Sequence, residues 1–159
     1  MFRSRMLPSF PFIALTDDVT PLSLQQDRPV LLQAIITVTT FSTRTKLPRI
    51  ERLKSMLFTT ALMETQSSMD LLQGLLTYLT WSTDLFLGGA DLVSRLMMLA
   101  VSLVYDLRLF KPTQFDVQLA MTLTQGEAYD PVKDLGTETI QSYAERQRAV
   151  LACFVLSSK

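Results

Sequence analysis

One short stretch constrains the fold more than any other part of the chain: DLLQGLLTYLTW, residues 70–81. Its leucines recur at spacings of one, three and four residues, which places them on one broad face of an α-helix. Ser67 followed by Asp70 is typical of a helix start, because a hydroxyl and a carboxylate there can satisfy free backbone N–H groups. The sequence therefore predicts a helix that begins near Ser68 and buries its leucine face.

Three residues of this predicted helix are interpreted as packing residues. Gly74 costs a helix interior about 1 kcal/mol relative to alanine, so it predicts the close approach of a neighbouring helix. Tyr78 and Trp81 carry large apolar surfaces with a polar tip, which suits the rim of a core. Packing is favoured over ligand contact for all three, because such stripes usually lie in a core.

Four other segments show helical periodicity, at about residues 28–42, 48–64, 90–109 and 139–158. The first is apolar on nearly all sides and should be central, with Asp27 as its cap and a proline in its first turn. A buried strand is the alternative for it, because many of its residues are β-branched. The second should be amphipathic, with Ile50, Leu53, Leu57 and Ala61 inside. Gly88 and Gly89 predict a turn that makes the helices at residues 70–81 and 90–109 an antiparallel hairpin.

The predicted domain organisation has two parts. Residues 1–26 are proline-containing and are expected to form an extended lead-in whose Phe10 and Phe12 dock on the body. Residues 27–159 are expected to form one helical domain, loop-rich at 111–141. The fold class is therefore all-α, a single domain of about five to six helices.

Three segments of that domain carry finer expectations. The loop-rich part should hold a short helix at Gln114 to Thr124 and an exposed acidic stretch, with Glu127, Asp130, Asp134 and Glu138. The helix predicted at residues 90–109 should have a wide apolar face. Arg108 and Lys111 should lie at the negative end of its dipole, and Pro112 should stop it. The final helix is expected to turn one set of side chains inward: Ala149, Leu151, Ala152, Cys153, Val155 and Leu156.

Composition argues against familiar catalytic centres. The chain of 159 residues is 48% apolar and contains no histidine, which removes the commonest general base and the commonest zinc ligand. Cys153 is the single cysteine, so neither an intramolecular disulfide nor a cysteine metal cluster can form within the chain. With no histidine to lower its pKa, Cys153 is expected to be an inert core thiol.

No catalytic, cofactor-binding, metal or DNA-binding residues are assigned, and any ligand-binding residues stay unidentified. Four carboxylates could perform acid–base chemistry if a cleft joined them, but their spacing favours solvation or helix capping: Asp84, Asp91, Asp106 and Asp116. Met97 and Met98 could line an adaptable pocket, although filling a core is favoured. The sequence contains none of the usual phosphate-binding, zinc-protease, calcium-binding or serine-hydrolase motifs.

Charge and hydropathy bear on partners. Fifteen basic and 15 acidic residues give a formal net charge of zero, which predicts weak binding to nucleic acids. One basic cluster consists of Arg44, Lys46, Arg49, Arg52 and Lys54. It could contact a phosphate or serve as an import signal, although a solvated helix face is favoured. No long apolar window lacks charge, so no membrane span is expected, and the N-terminal prolines argue against a signal peptide.

Several phrases resemble, in order, the regulatory middle homology region of fungal zinc binuclear cluster transcription factors. They are PSFPFIAL (8–15), DRPVLLQAIITVTT (27–40), DLLQGLLTYLTW (70–81), AVSLVYDLRLFKP (100–112) and ERQRAVLACFVLSS (145–158). Each phrase is weak alone, and their order across nearly the whole chain carries the match. Phe110 departs from the pattern, because the family often has a histidine there.

The resemblance implies a non-enzymatic regulatory module for fungal transcription, with metabolic or secondary-metabolite genes as targets. It implies protein partners, such as other regulators or a second copy, or a small-molecule effector, and a location in the nucleus, with the cytoplasm as the alternative. Direct DNA contact is not expected, because the family's six-cysteine zinc cluster cannot be built from one cysteine. The chain is expected to be an incomplete version of the family's larger helical region, lacking its C-terminal part. A small-molecule-binding helical protein or enzyme, and a nonfunctional gene fragment, stay open as alternatives.

Overall fold

The computed structural model describes residues 1–16, 18–63, 67–82, 90–110 and 137–158. Six α-helices lie in these ranges: α1 Pro21–Asp27, α2 Pro29–Thr39, α3 Thr43–Phe58, α4 Met69–Trp81, α5 Ala90–Asp106 and α6 Thr137–Ser157. Short π-helical turns at Phe2–Met6 and Thr59–Met63 and a 3-10 turn at Leu7–Ser9 accompany them. The described ranges contain no strand, so the predicted all-α class is confirmed.

Helix α4, the leucine-rich phrase, lies at the centre and packs against α2, α5 and α6. Its residues 71–79 are all buried, so the leucine face is buried as predicted and so is the rest of the helix surface. Tyr78 is 1% exposed, and its predicted place at the rim is therefore wrong. Neighbouring helices cover α4 on every side, which leaves no rim at that position.

Gly74 lies where α2 crosses α4, as predicted. A Cβ atom there would lie 2.8 Å from Val30 Cγ1 and 3.1 Å from the carbonyl carbon and oxygen of Val30. These distances leave no room for a methyl group. The missing side chain thus lets the backbones of α2 and α4 approach each other.

The N-terminal segment folds onto the end of α4. The Trp81 indole is stacked on Phe12 with ring centroids 5.6 Å apart, and Phe2 meets it edge-on at 5.1 Å. Phe12 is buried and Phe10 packs beside it, so the predicted docking of both phenylalanines is confirmed. The segment is not extended throughout, because helical turns at Phe2–Met6 and Leu7–Ser9 and helix α1 lie within it.

Helices α4 and α5 run antiparallel, as the predicted hairpin requires. Ser67, just before α4, donates a hydrogen bond from its hydroxyl to Asp106 Oδ2 at the end of α5, at 3.2 Å. The α4 cap is Ser68, whose hydroxyl accepts from the Leu71 N–H, and not Ser67. Gly88 and Gly89, the predicted turn, lie outside the described residues.

Helix α5 ends in a left-handed turn at Arg108, whose φ is 52°. The Leu109 N–H donates to the Val104 carbonyl and the Arg108 N–H donates to the Tyr105 carbonyl. This is the hydrogen-bond pattern of the Schellman motif, with Arg108 in the position where glycine is usual. The predicted end of this helix at about residue 109 is thus close to the observed one.

Three boundaries or faces differ from expectation. Helix α3 starts at Thr43, about one turn before Pro48, so this proline lies inside the helix. Leu151 is 60% exposed and Val155 is 38% exposed, so the prediction that they point inward is wrong. Ala149, Ala152 and Cys153 are buried and form the side of α6 that packs against α4 and α5. The opposite side of α6 is therefore exposed to solvent.

Several predictions lie outside the described residues, namely the short helix at Gln114 to Thr124, Lys111 and Pro112, the acidic positions Glu127, Asp130 and Asp134, and the Glu138 side chain. In the ranges that are described, no helix is long and apolar enough to cross a membrane.

Candidate functional site

A polar cluster of the buried Gln73 and the half-buried Arg28 and Glu145 joins the start of α2 to α4 and α6. Arg28 Nη1 donates to Gln73 Oε1 at 2.9 Å, and Gln73 Nε2 donates to Glu145 Oε1 at 2.8 Å. Arg28 also forms a two-pronged ion pair with Glu145, in which Nη2 donates to Oε2 at 3.1 Å. The three side chains therefore close a ring of hydrogen bonds, and the fully buried amide of Gln73 is satisfied on both of its atoms.

The pKa shifts in this cluster agree with its geometry. Burial opposes the charged form of Glu145, but the hydrogen bonds from Arg28 and Gln73 outweigh it and hold the pKa of that carboxyl below its ordinary value. The hydrogen bond to Glu145 raises the pKa of Arg28 against the opposing effect of burial. Glu145 and Arg28 are therefore both charged near neutral pH.

Asp70 lies beside this cluster and caps a helix other than its own. Its carboxylate accepts from the Val30 N–H at 3.0 Å and from the Leu31 N–H at 2.8 Å, which are free donors in the first turn of α2. Burial raises the pKa of Asp70, although these two bonds and the charge of Arg28 work against the rise. The sequence predicted Asp27 as the cap of α2, but Asp27 is the last residue of α1.

An open cleft of about 420 Å³ lies next to the cluster, between residues 14–16 with Val19, α1 and α6. Arg28 and Glu145 form part of its wall, beside the exposed carboxylate of Asp27. The other lining residues are apolar or carry neutral polar groups: Ala14, Leu15, Thr16, Val19, Ser23, Leu24, Gln141 and Ser142. Such a lining suits a small amphipathic molecule with hydrogen-bonding groups.

The carboxylates singled out from the sequence do not form a pair in the described structure. Asp91 and Asp106 are exposed at opposite ends of α5, about 22 Å apart along the helix axis. Asp84 and Asp116 lie outside the described residues. Within those residues, no group of three or more carboxylate or thiol side chains could hold a metal ion.

The other residues singled out have structural surroundings. Cys153 is buried, and burial raises the pKa of its thiol, which fits an unreactive core residue. Met97 packs against the core, whereas Met98 is 73% exposed. The basic cluster lies along α3, where Arg44 and Arg52 are exposed.

Two helices keep large apolar side chains on their outer surfaces. On α5 and the turn after it these are Met98, Val101, Tyr105 and Phe110, and on α6 they are Leu151, Phe154 and Val155. The Tyr105 and Phe110 rings contact each other, with centroids 5.3 Å apart. Clusters of exposed apolar side chains of this kind are typical of surfaces that contact another protein segment.

Local sequence patterns contain little sign of the polar cluster. Its three members are 45, 72 and 117 residues apart, so no local spacing connects them. The usable signal was Gln73, a polar residue inside an otherwise apolar run. A glutamine in such a place requires partners, but the sequence does not identify them.

The chain is 67% identical over 103 residues to a protein of Aspergillus terreus named "Transcription factor", a match that covers 65% of this chain and 17% of the relative. It is 31% identical over 160 residues to "Transcription factor opdL" of Penicillium oxalicum, with 99% of this chain and 28% of the relative covered. The chain thus spans less than a third of either relative. No family model matches the sequence, and no solved structure matches the chain.

Both relatives are named as transcription factors, which supports a fungal transcription factor family for this chain. The relationship to that family's middle homology region stays a prediction.

Proposed function

We propose that this chain is a non-enzymatic regulatory module of fungal transcription that acts through protein contacts or effector sensing in the nucleus. The observation that carries the proposal is the similarity to two proteins named as transcription factors, one of them 67% identical over its matched part. The all-α fold is in keeping with it.

Protein contact is proposed to use the exposed apolar side chains of α6. Leu151 and Phe154 are 60% and 70% exposed on a helix whose opposite side is buried in the core. Burying two such side chains against a partner would contribute about 1.5 to 3 kcal/mol each. The exposed apolar side chains of α5 offer a second surface of the same kind.

Effector sensing is proposed to use the cleft beside Arg28 and Glu145. A ligand there would contact two residues of the ring that joins α2, α4 and α6, so its binding energy would bear on how these helices are held together. This cleft also favours the second candidate, a small-molecule-binding helical protein. Among the described residues that line the cleft, none is a nucleophile paired with a base, so the proposal is for binding.

Action without direct DNA contact is part of the proposal. It is supported by the zero net charge of the chain, because an overall excess of positive charge would favour non-specific attraction to the phosphates of DNA. The basic cluster lies on a folded helix, α3. For that reason we favour a solvated helix face over an import signal as its role.

The test is a reporter experiment in a fungal cell, with the chain fused to an unrelated DNA-binding domain. We expect the fusion to change transcription several-fold relative to that domain alone, and the variant L151S/F154S to lose the effect. L22S is the control, since Leu22 is 74% exposed on α1 and belongs to neither apolar surface. A fusion with no effect, or an L22S variant as defective as L151S/F154S, would contradict the proposal.

A further inference from the structure

We propose that the groove between α2 and α3 binds an acidic peptide segment of a protein partner. The groove is a hollow of about 500 Å³ lined by Gln33, Arg44, Thr45, Pro48, Arg49 and Arg52. This surface is separate from the apolar surfaces and the cleft, so the inference goes beyond the proposed function and does not depend on it.

The packing of α3 directs its arginines to the groove. Arg44, Pro48 and Arg52 recur every four residues and therefore lie above one another on one face of the helix, with Arg49 beside them. Ile50, Leu53 and Leu57 are buried on the opposite face and fix the rotation of the helix. The orientation of the arginine row is thus a consequence of core packing.

The groove carries uncompensated positive charge. Among the residues that the structure describes, no carboxylate contacts Arg44, Arg49 or Arg52. Glu51, the single acidic residue of α3, pairs with Lys54 at 3.1 Å. The first turn of α3 has no acidic residue and no side-chain cap, so its helix dipole adds to the positive potential.

The length of the row favours a peptide over a small anion. Arg44 and Arg52 are eight residues apart, which is about 12 Å along the helix axis. An extended peptide covers that distance in about four residues, so carboxylates on alternate residues could meet successive arginines. A single phosphate is much shorter than the row.

The backbone of α3 favours a peptide over DNA. Pro48 has no N–H to donate to the carbonyl of Arg44 one turn earlier, so that carbonyl lacks its regular helical donor. A peptide backbone brings N–H donors as well as carboxylates, whereas the DNA backbone presents phosphate acceptors alone to a guanidinium row. The arginine forks and this carbonyl together suit an acidic peptide.

The test is fluorescence anisotropy with the full chain at about 20 mM salt, where exposed charges are weakly screened. The probes are a labelled decapeptide of alternating glutamate and glycine, its glutamine counterpart and a short DNA duplex. We expect the glutamate peptide to bind best, and the variant R49Q/R52Q to bind it about tenfold more weakly. R5Q/R95Q is the matched control, because it removes the same charge from two exposed arginines outside the groove.

Retained binding in R5Q/R95Q, with circular dichroism unchanged in both variants, would support the groove as the site. Equal weakening in both double variants would mean that general electrostatic attraction accounts for binding, which overturns the proposal. DNA binding as tight as peptide binding, with the same dependence on Arg49 and Arg52, would overturn the choice of a peptide. No binding of the glutamate peptide by the unaltered chain would overturn it as well.

Discussion

Replacing Gly74 by alanine should destabilise this protein, although the same change in most helix interiors stabilises by about 1 kcal/mol. The added Cβ would lie 2.8 Å from Val30 Cγ1 and 3.1 Å from the backbone carbonyl of Val30. The valine side chain is buried and has one strongly preferred rotamer in a helix, so it cannot turn away freely. Helices α2 and α4 would have to move apart.

The expected magnitude follows from two opposing terms. Overpacking a core position costs about 1 to 3 kcal/mol, and contact with backbone atoms puts Gly74 at the upper end of that range. The gain in helix propensity returns about 1 kcal/mol. The net change in the free energy of unfolding should therefore be a loss of about 2 kcal/mol.

Urea denaturation followed by circular dichroism measures this loss as a lower midpoint at an unchanged m value. In a V30A background the contact at 2.8 Å is gone, so the cost of G74A should fall by about 1 kcal/mol, with the backbone contacts remaining. If G74A raises the midpoint instead, the helix propensity term acts alone, and the close approach of α2 and α4 at this residue is refuted.

Three further changes test other parts of the structure. R108G should stabilise by about 1 kcal/mol in thermal unfolding, because glycine adopts the φ of 52° without strain; R108A should bring no such gain. D70A should cost about 2 kcal/mol in urea, since two buried N–H groups of α2 lose their acceptor, whereas D27A should change stability by less than about 0.5 kcal/mol; equal effects would contradict the cap assignment. Because the pKa of Glu145 is lowered on folding, its ionised form stabilises fully above its ordinary value of 4.5, and the contribution is lost as pH falls through the lowered pKa. The stability difference between the unaltered chain and E145Q should therefore shrink below pH 4.5, and a difference that stays constant down to pH 2 would refute this assignment.

The sequence was most informative where a structural feature depends on near neighbours. The spacing of the leucines in residues 70–81 determined a helix, and the lone Gly74 within it indicated a helix contact. Helical periodicity compares residues three and four apart, so it can be read without knowing the fold. For the same reason the all-α class was predictable.

The tertiary structure determined which polar groups form hydrogen bonds with each other. Asp70 was expected to serve its own helix, but the crossing of α2 and α4 brings it to the first turn of α2, about 40 residues away. The ring of Gln73 with the half-buried Arg28 and Glu145 likewise exists because the start of α2 meets α4 and α6, and no local pattern encodes such a meeting.

The tertiary structure also determined which side of α6 is buried. Its C-terminal half is apolar on most sides, so its composition could not say which side would be covered. The packing of α6 on α4 and α5 buries Ala152 and Cys153 and leaves Leu151 and Phe154 in solvent. Local periodicity determined which segments of this protein are helices, whereas long-range packing determined which polar groups pair and which apolar surfaces stay exposed.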